Sequence, residues 1–206
     1  MGSFFFGLNS NYSYIFQLII ESGNNMQSGN LLVAAPSIFG DRNFHRSIVI
    51  MVEQKSPGSL GFIINKPLDF YIRDVMPEIQ KNFPIYNGGP VEQDNLFFVH
   101  RAGHLIPNSI KIDDHLFWGG DFKTVSALIN DGLLSSNEIR FFLGYSGWSK
   151  DQLENEIALK SWMVVDNALE GKILSHKTES LWKNQMIALG GKNIIWSNTP
   201  DNPHHN

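Results

Sequence analysis

Cysteine is absent from the 206 residues, which removes disulfides, thiolate catalysis and cysteine-based metal sites together. Basic clusters are missing too. Sixteen Lys+Arg stand against 20 Asp+Glu for a formal net charge of -4, and without a Lys/Arg run there is no electrostatic case for nucleic-acid binding. No basic side chain precedes Arg42, so the chain's start lacks the positive region of a secretory signal. Its apolar run from Tyr12 to Ile20 is far below the ~20 residues of a membrane span. Phe6 stands where a myristoylation signal needs Ser or Thr. A P-loop and a dinucleotide-binding fingerprint are likewise absent. These absences lead us to expect a cytoplasmic protein without a membrane span and without a cofactor that a motif identifies. No stretch carries a motif whose reaction follows from its residues alone.

What is present is a globular composition, with 42% hydrophobic residues, Phe 15 and Trp 5, so aromatics are expected to dominate the core. Residues 1–30, charged only at Glu21, read as an N-terminal extension outside the core. Met26 is expected to be the natural start, and an intact mass beginning at Met1 would refute that. Residues 31–196 read as a single domain and 197–206 as a polar, fraying tail.

Within the domain, Leu31 to Ala35, Ile48 to Val52 and Leu60 to Asn65 read as strands, the last two paired through the KSPGS turn. Ile72, Val75, Met76 and Ile79 are spaced as one helical face from about Asp69, interrupted by Pro77. Ile85 to Val91 reads as a strand end and turn. Leu96 to His100, Ile110 to Ile112 and Leu116 to Trp118 are further extended pieces. Asp121 caps a helix that Gly132 ends. Lys172 to Ser175 is a candidate strand, and Thr178 to Leu189 is a last helix.

Between these lies the run from Glu138 to Trp162, EIRFFLGYSGWSKDQLENEIALKSW. Ile139 to Leu143 is a buried-strand signal, and Gly144 and Gly147 bracket a tight turn closed by Trp148. Ser149 and Gln152 have capping-box spacing for a helix burying Leu153 and Ile157, with Glu154, Glu156 and Lys160 flanking that face in water. Short strands mixed with separated helices indicate the α+β class.

LLVAAPSIFGDRNFHRSIVIMVE, GSLGFIINKPLD, YNGGPVEQDNLFFVH and FLGYSGWSKDQLENEI, in this order, resemble the YqgE/AlgH family of bacterial proteins over roughly Leu31 to Leu189. The resemblance implies an AlgH-like fold: a curled, partly split, mixed or antiparallel sheet approaching a barrel, flanked by helices. It also implies a label of transcriptional regulation on some members, while most are uncharacterised and no catalytic residues carry over. The motif residues here are Arg46, Ser47, Gly61, Asn65 to Pro67, Gly88 to Val91, His100, Gly144 to Trp148, and Gln152 to Glu154. The chain departs from the family at Ser146, often Ala, and at Ser149, Lys150 and Asp151, often Gly-Pro-Gly.

Each candidate constellation has a structural alternative. Strand, G-Y-S-G-W, helix resembles a nucleophile elbow, but Trp148 replaces the last glycine of G-x-S-x-G; a packed turn is the alternative. His100 and His104 form H-x-x-x-H, a chelating pair only on a helix, which Ala102-Gly103 does not favour. Gly88-Gly89 and Gly119-Gly120 could present N–H groups to an anion, though tight turns are their simpler use. Arg46, Asn65 and Lys66 bracket a hairpin, where polar residues at strand ends can build a site. The expectation is a non-catalytic protein binding a partner or small ligand, with Arg46, Ser47, Asn65, Lys66, Gly88, Gly89, His100, Tyr145, Ser146 and Trp148 as contact candidates and no metal. The alternatives are a hydrolase using Ser146 and His100, or a transcriptional regulator without a recognisable DNA-binding motif.

Overall fold

A computed structural model of the chain describes residues 26–38, 40–55 and 58–199. Most of the N-terminal extension, residues 56 and 57 of the expected hairpin turn, and residues 200–206 with His204 and His205 lie outside the described residues.

The apolar runs are two period-2 patterns interleaved. β1 (Leu31–Ala34) pairs antiparallel with β2 (Ile48–Lys55) and, on its other edge, with β10 (Trp162–Val165). β2 pairs in turn with β3 (Gly58–Ile63), so the hairpin expected from the short connection is present. Leu31, Val33, Ile48, Ile50 and Phe62 face one core, whereas Leu32, Ala34, Val49, Met51 and Ile63 face another. Alternate residues along a strand point to opposite faces. Both faces are covered, so both sets are apolar and the strands read as continuous runs.

The remaining strands are β4 (Pro67–Tyr71), β5 (Pro84–Asn87), β6 (Val91–His100), β7 (Ile110–Lys111), β8 (Phe117–Trp118) and β9 (Ile139–Ser149). The main path runs β10-β1-β2-β3-β9-β6-β8-β7, with β4 and β5 off it. The sheet is open, with β10 and β7 at its ends, and almost wholly antiparallel; the β5–β9 pairing is parallel. This is the α+β architecture that the resemblance implies, without barrel closure.

β9 is the joint of the sheet. Its first half pairs with β5 (Ile85 opposite Phe141) and its second half with β3 (Gly61 opposite Ser146), while β6 lies along its other edge. The change of partner falls at Gly144, whose φ is +68°. The turn expected over Gly144 to Trp148 is therefore absent: β9 runs on through Gly144 to Ser149, and the irregularity lies in the facing β6, whose extra residues fall between Val91 and Leu96. Gly88 and Gly89 lie close against the backbone of Gly144 to Ser146. A Cβ on Gly88 would collide with the Gly144 carbonyl, and one on Gly144 would lie 2.6 Å from the Gly89 carbonyl. The glycine pairs permit close backbone approach.

Helices cover parts of the sheet. α1 (Ile72–Val75) is one turn long, because Asp69 to Tyr71, where the expected helix begins, belong to β4, which pairs with β5. Ile72 and Ile79 are still buried, but Val75 is exposed. α2 (Phe122–Asn130) starts as expected, with the Asp121 carboxylate accepting from Thr124 N at 2.8 Å, and buries Val125 and Ile129. α3 (Lys150–Ala158) buries Leu153, but Ser149 makes no side-chain cap. Residues 170–174 form a 3-10 turn rather than a strand. Arg140 reaches that turn from β9, donating to Ile64 O at 2.6 Å and Leu174 O at 2.5 Å beneath the Tyr86 ring. A buried guanidinium needs such acceptors, and these tie the turn to the sheet. α4 (Leu181–Leu189) buries Leu181, Trp182 and Met186 and stops at Gly190; α5 (Asn193–Ser197) packs beside it. No helix among the described residues is long and apolar enough to cross a membrane.

Candidate functional site

The serine that invites an elbow mechanism is inside the sheet. Ser146 is 0% exposed, and its hydroxyl donates to Gly88 O at 3.0 Å, across the joint between β9 and the Gly88-Gly89 segment. His100, at the end of β6, is also 0% exposed. Its Nδ1 accepts from Ala102 N at 3.2 Å, which fixes that nitrogen as unprotonated. Nε2–H then faces Gly119 O at 3.0 Å and Ser109 Oγ at 3.1 Å, the latter already donating to Ile106 O. Burial lowers the His100 pKa, opposed by the bond to Gly119, and the neutral ring is a structural strut. His104 is exposed while His100 is buried, so the H-x-x-x-H pair does not share a face.

Trp148 is not a surface. It is 5% exposed, and its indole N–H donates to Glu156 Oε2 at 2.9 Å, the atom that also accepts from Trp162 Nε1 at 2.8 Å. Phe44 lies against both rings. Glu156, expected to reach water, is thereby drawn into the aromatic cluster on α3. Tyr145 is half-buried with an edge-on contact to Phe97, and burial, then the neighbouring Glu92, raises its pKa. The larger exposed apolar side chains near the chain's end are Ile187 on α4 and Ile194, Ile195 and Trp196 on α5.

Three of the sequence candidates do converge. Arg46 precedes β2 with φ +52°, a left-handed corner that a non-glycine residue adopts only when held there. Asn65 holds it: Oδ1 accepts from Ile48 N at 2.8 Å and Nδ2 donates to Arg46 O at 2.9 Å. The corner turns the Arg46 guanidinium over the Trp182 ring, 5.0 Å from its centroid, where Nη2 donates to Thr199 O and Oγ1 at 2.8 and 3.0 Å. Lys66, next along from Asn65, donates to Asn43 O at 2.7 Å and Arg42 O at 3.3 Å. Its pKa is lowered by burial, partly offset by Asp41.

Arg46, Asn65 and Lys66 share a pocket of about 700 Å³ with Trp182 and Lys183 of α4, Glu179, and residues 197–199. Ser47, Gly88, Gly89, His100, Tyr145, Ser146 and Trp148 do not line it. Ser47 is fully buried, and its hydroxyl has no hydrogen-bond partner among the described residues. Residues 197–199, expected to fray, are pinned: Ser197 is buried and donates to Ile194 O, and Thr199 meets Arg46. Trp182, Lys183 and Thr199 carried no sequence signal, because they reach the site from more than a hundred residues away.

The fold and the motifs have known counterparts. The crystal structure of a Corynebacterium diphtheriae protein matches with a TM-score of 0.69 at 24% identity, covering 85% of this chain and 94% of that one. The solution structure of the AlgH protein from Pseudomonas aeruginosa matches with a TM-score of 0.66 at 22% identity, covering 86% and 97%. In sequence, UPF0301 proteins from Chlorobium phaeobacteroides and Cytophaga hutchinsonii are 38% and 39% identical over 186 and 184 residues, covering 90% and 88% of this chain and 98% and 100% of those proteins. The profile of the AlgH-like family, DUF179, matches residues 31–194, and with that extent of match the chain belongs to this family.

Proposed function

We propose that the chain acts by binding rather than by catalysis, through the pocket between the Arg46 corner and α4. The observation that carries this reading is convergence. Arg46, Asn65 and Lys66, singled out by their place at the ends of a hairpin, meet around one pocket large enough for a small molecule. The hydrolase alternative loses its support, since Ser146 and His100 are both enclosed and hydrogen-bonded within the sheet. Direct DNA contact has no observation in its favour on a chain of net charge -4.

The test is recovery of small molecules and partners that copurify with the full chain, followed by titration of each into isotope-labelled protein. Perturbation centred on the Asn65 amide and the Trp182 indole is the expected outcome. A recovered ligand or partner that perturbs only residues elsewhere, for example Ile194 to Trp196, refutes the reading.

A further inference from the structure

The pocket's electrostatics run against those of the chain. Its charged lining residues comprise the cations Arg46, Lys66 and Lys183 and the carboxylate Glu179, a local excess of positive charge on a chain whose formal net charge is -4. Arg46 is already engaged with Thr199 and the Trp182 ring, so recognition falls to the lysines. The Lys66 ammonium has three N–H donors, and among the described residues two are taken by the carbonyls of Arg42 and Asn43. Those acceptors are neutral, and burial acts against the charge at Lys66, an effect that Asp41 offsets only in part. A partly desolvated ammonium that lines a cavity gains most from an anionic acceptor. Trp182 lines the same pocket, but it is 5% exposed and its ring lies under the Arg46 guanidinium, so little of it is open to a ligand. At about 700 Å³ the space exceeds what an inorganic ion fills and lies in the range of organic ligands, about 300 to 1,000 Å³.

We propose that the pocket takes a small organic oxyanion, a phosphomonoester or a carboxylate, whose charged group meets Lys66 and Lys183. This rests on the binding reading above and names the ligand class of that site.

The experiment titrates inorganic phosphate, ribose 5-phosphate and succinate, in phosphate-free buffer at low salt, into the isotope-labelled full chain. The Asn65 side-chain amide and Trp182 indole signals are followed. Saturable shifts at both are expected, with one of the organic anions binding more tightly than inorganic phosphate because its body fills more of the pocket. Comparison of ribose 5-phosphate with succinate identifies the charged group. Lys66→Gln should weaken binding by about tenfold or more, the scale of a lost charge-assisted hydrogen bond. Lys183→Gln on the exposed helix surface should weaken it by about two- to threefold, and Lys66→Arg should retain most of it. Lys123→Gln, outside the pocket, is the control. Equal affinity in wild type and the Lys66→Gln, Lys183→Gln double variant overturns the proposal, as does an absence of shifts with all three anions. A neutral or cationic copurified ligand that perturbs Asn65 and Trp182 overturns the anion proposal while leaving the pocket reading intact.

Discussion

Replacing Trp148 by Ala tests whether the motif that ends β9 is core or surface. The side chain is 5% exposed and belongs to the core formed with Leu32, Val49, Met51 and Leu153. Its ring lies 6.0 Å from Phe44 and 5.9 Å from Trp162, centroid to centroid. Large-to-small replacement of a buried aromatic costs about 3 to 5 kcal/mol, the transfer loss plus the cavity left behind. Each aromatic pair accounts for about 0.5 to 1.5 kcal/mol beyond area. Glu156 keeps the Trp162 donor when Trp148 is removed, so its carboxylate is not orphaned and adds little to the total. The expected loss is therefore about 3 to 5 kcal/mol, or a fall in Tm of about 6 to 20 °C for a chain of this size. Trp148→Phe keeps most of the packing and loses the indole N–H, for about 1 to 2 kcal/mol. Urea denaturation followed by far-UV circular dichroism, with an unchanged slope, measures both. A loss below about 1 kcal/mol for Trp148→Ala would refute the packing account and return this residue to the candidate surfaces.

Two further perturbations probe the joint and the His100 strut. Gly144→Ala should destabilise by on the order of 2 to 4 kcal/mol, because φ is +68° and a Cβ would crowd the Gly89 and Val91 carbonyls; wild-type thermal stability would refute the close approach at this joint. His100 is held neutral, with its folded pKa below the ordinary 6.5. Its contribution is thus fully present above pH 6.5 and is lost as the pH falls from there toward the folded value, since the unfolded chain binds the extra proton. Stability measured from pH 7.5 to 5 should fall more steeply in wild type than in His100→Gln, and identical slopes would contradict the buried, neutral ring.

Much of the architecture was legible because local chemistry and tertiary demand agreed. Asp121 and Gly132 mark α2, and Gly190 ends α4, through caps that need only neighbouring residues. The apolar runs of β1 and β2 were readable as strands, although their cause is burial on two faces. Where a nonlocal contact competes with local pattern, the reading diverged. The helical spacing from Asp69 yields to pairing with β5, because residues 67–71 lie extended beside it, with Lys66 O and Ile72 N bonded to Asn87 and Phe83 at either end, before the helix can start. The Gly144 to Trp148 stretch reads as a turn because glycine allows one; β3 and β6 on either side hold it extended instead.

The candidate site divides in the same way. Sequence alone determined that Arg46, Asn65 and Lys66 stand at the mouth of a hairpin, since their positions follow from the strands they flank. It likewise excluded thiol chemistry, which depends on composition. Only the tertiary structure decided that these three residues face Trp182, Lys183 and Thr199 across a pocket, whereas Ser146, His100 and Trp148 are enclosed. The physical reason is that a side chain's chemistry is written in its own residue, but its access to solvent and its partners are set by strands and helices distant in the chain.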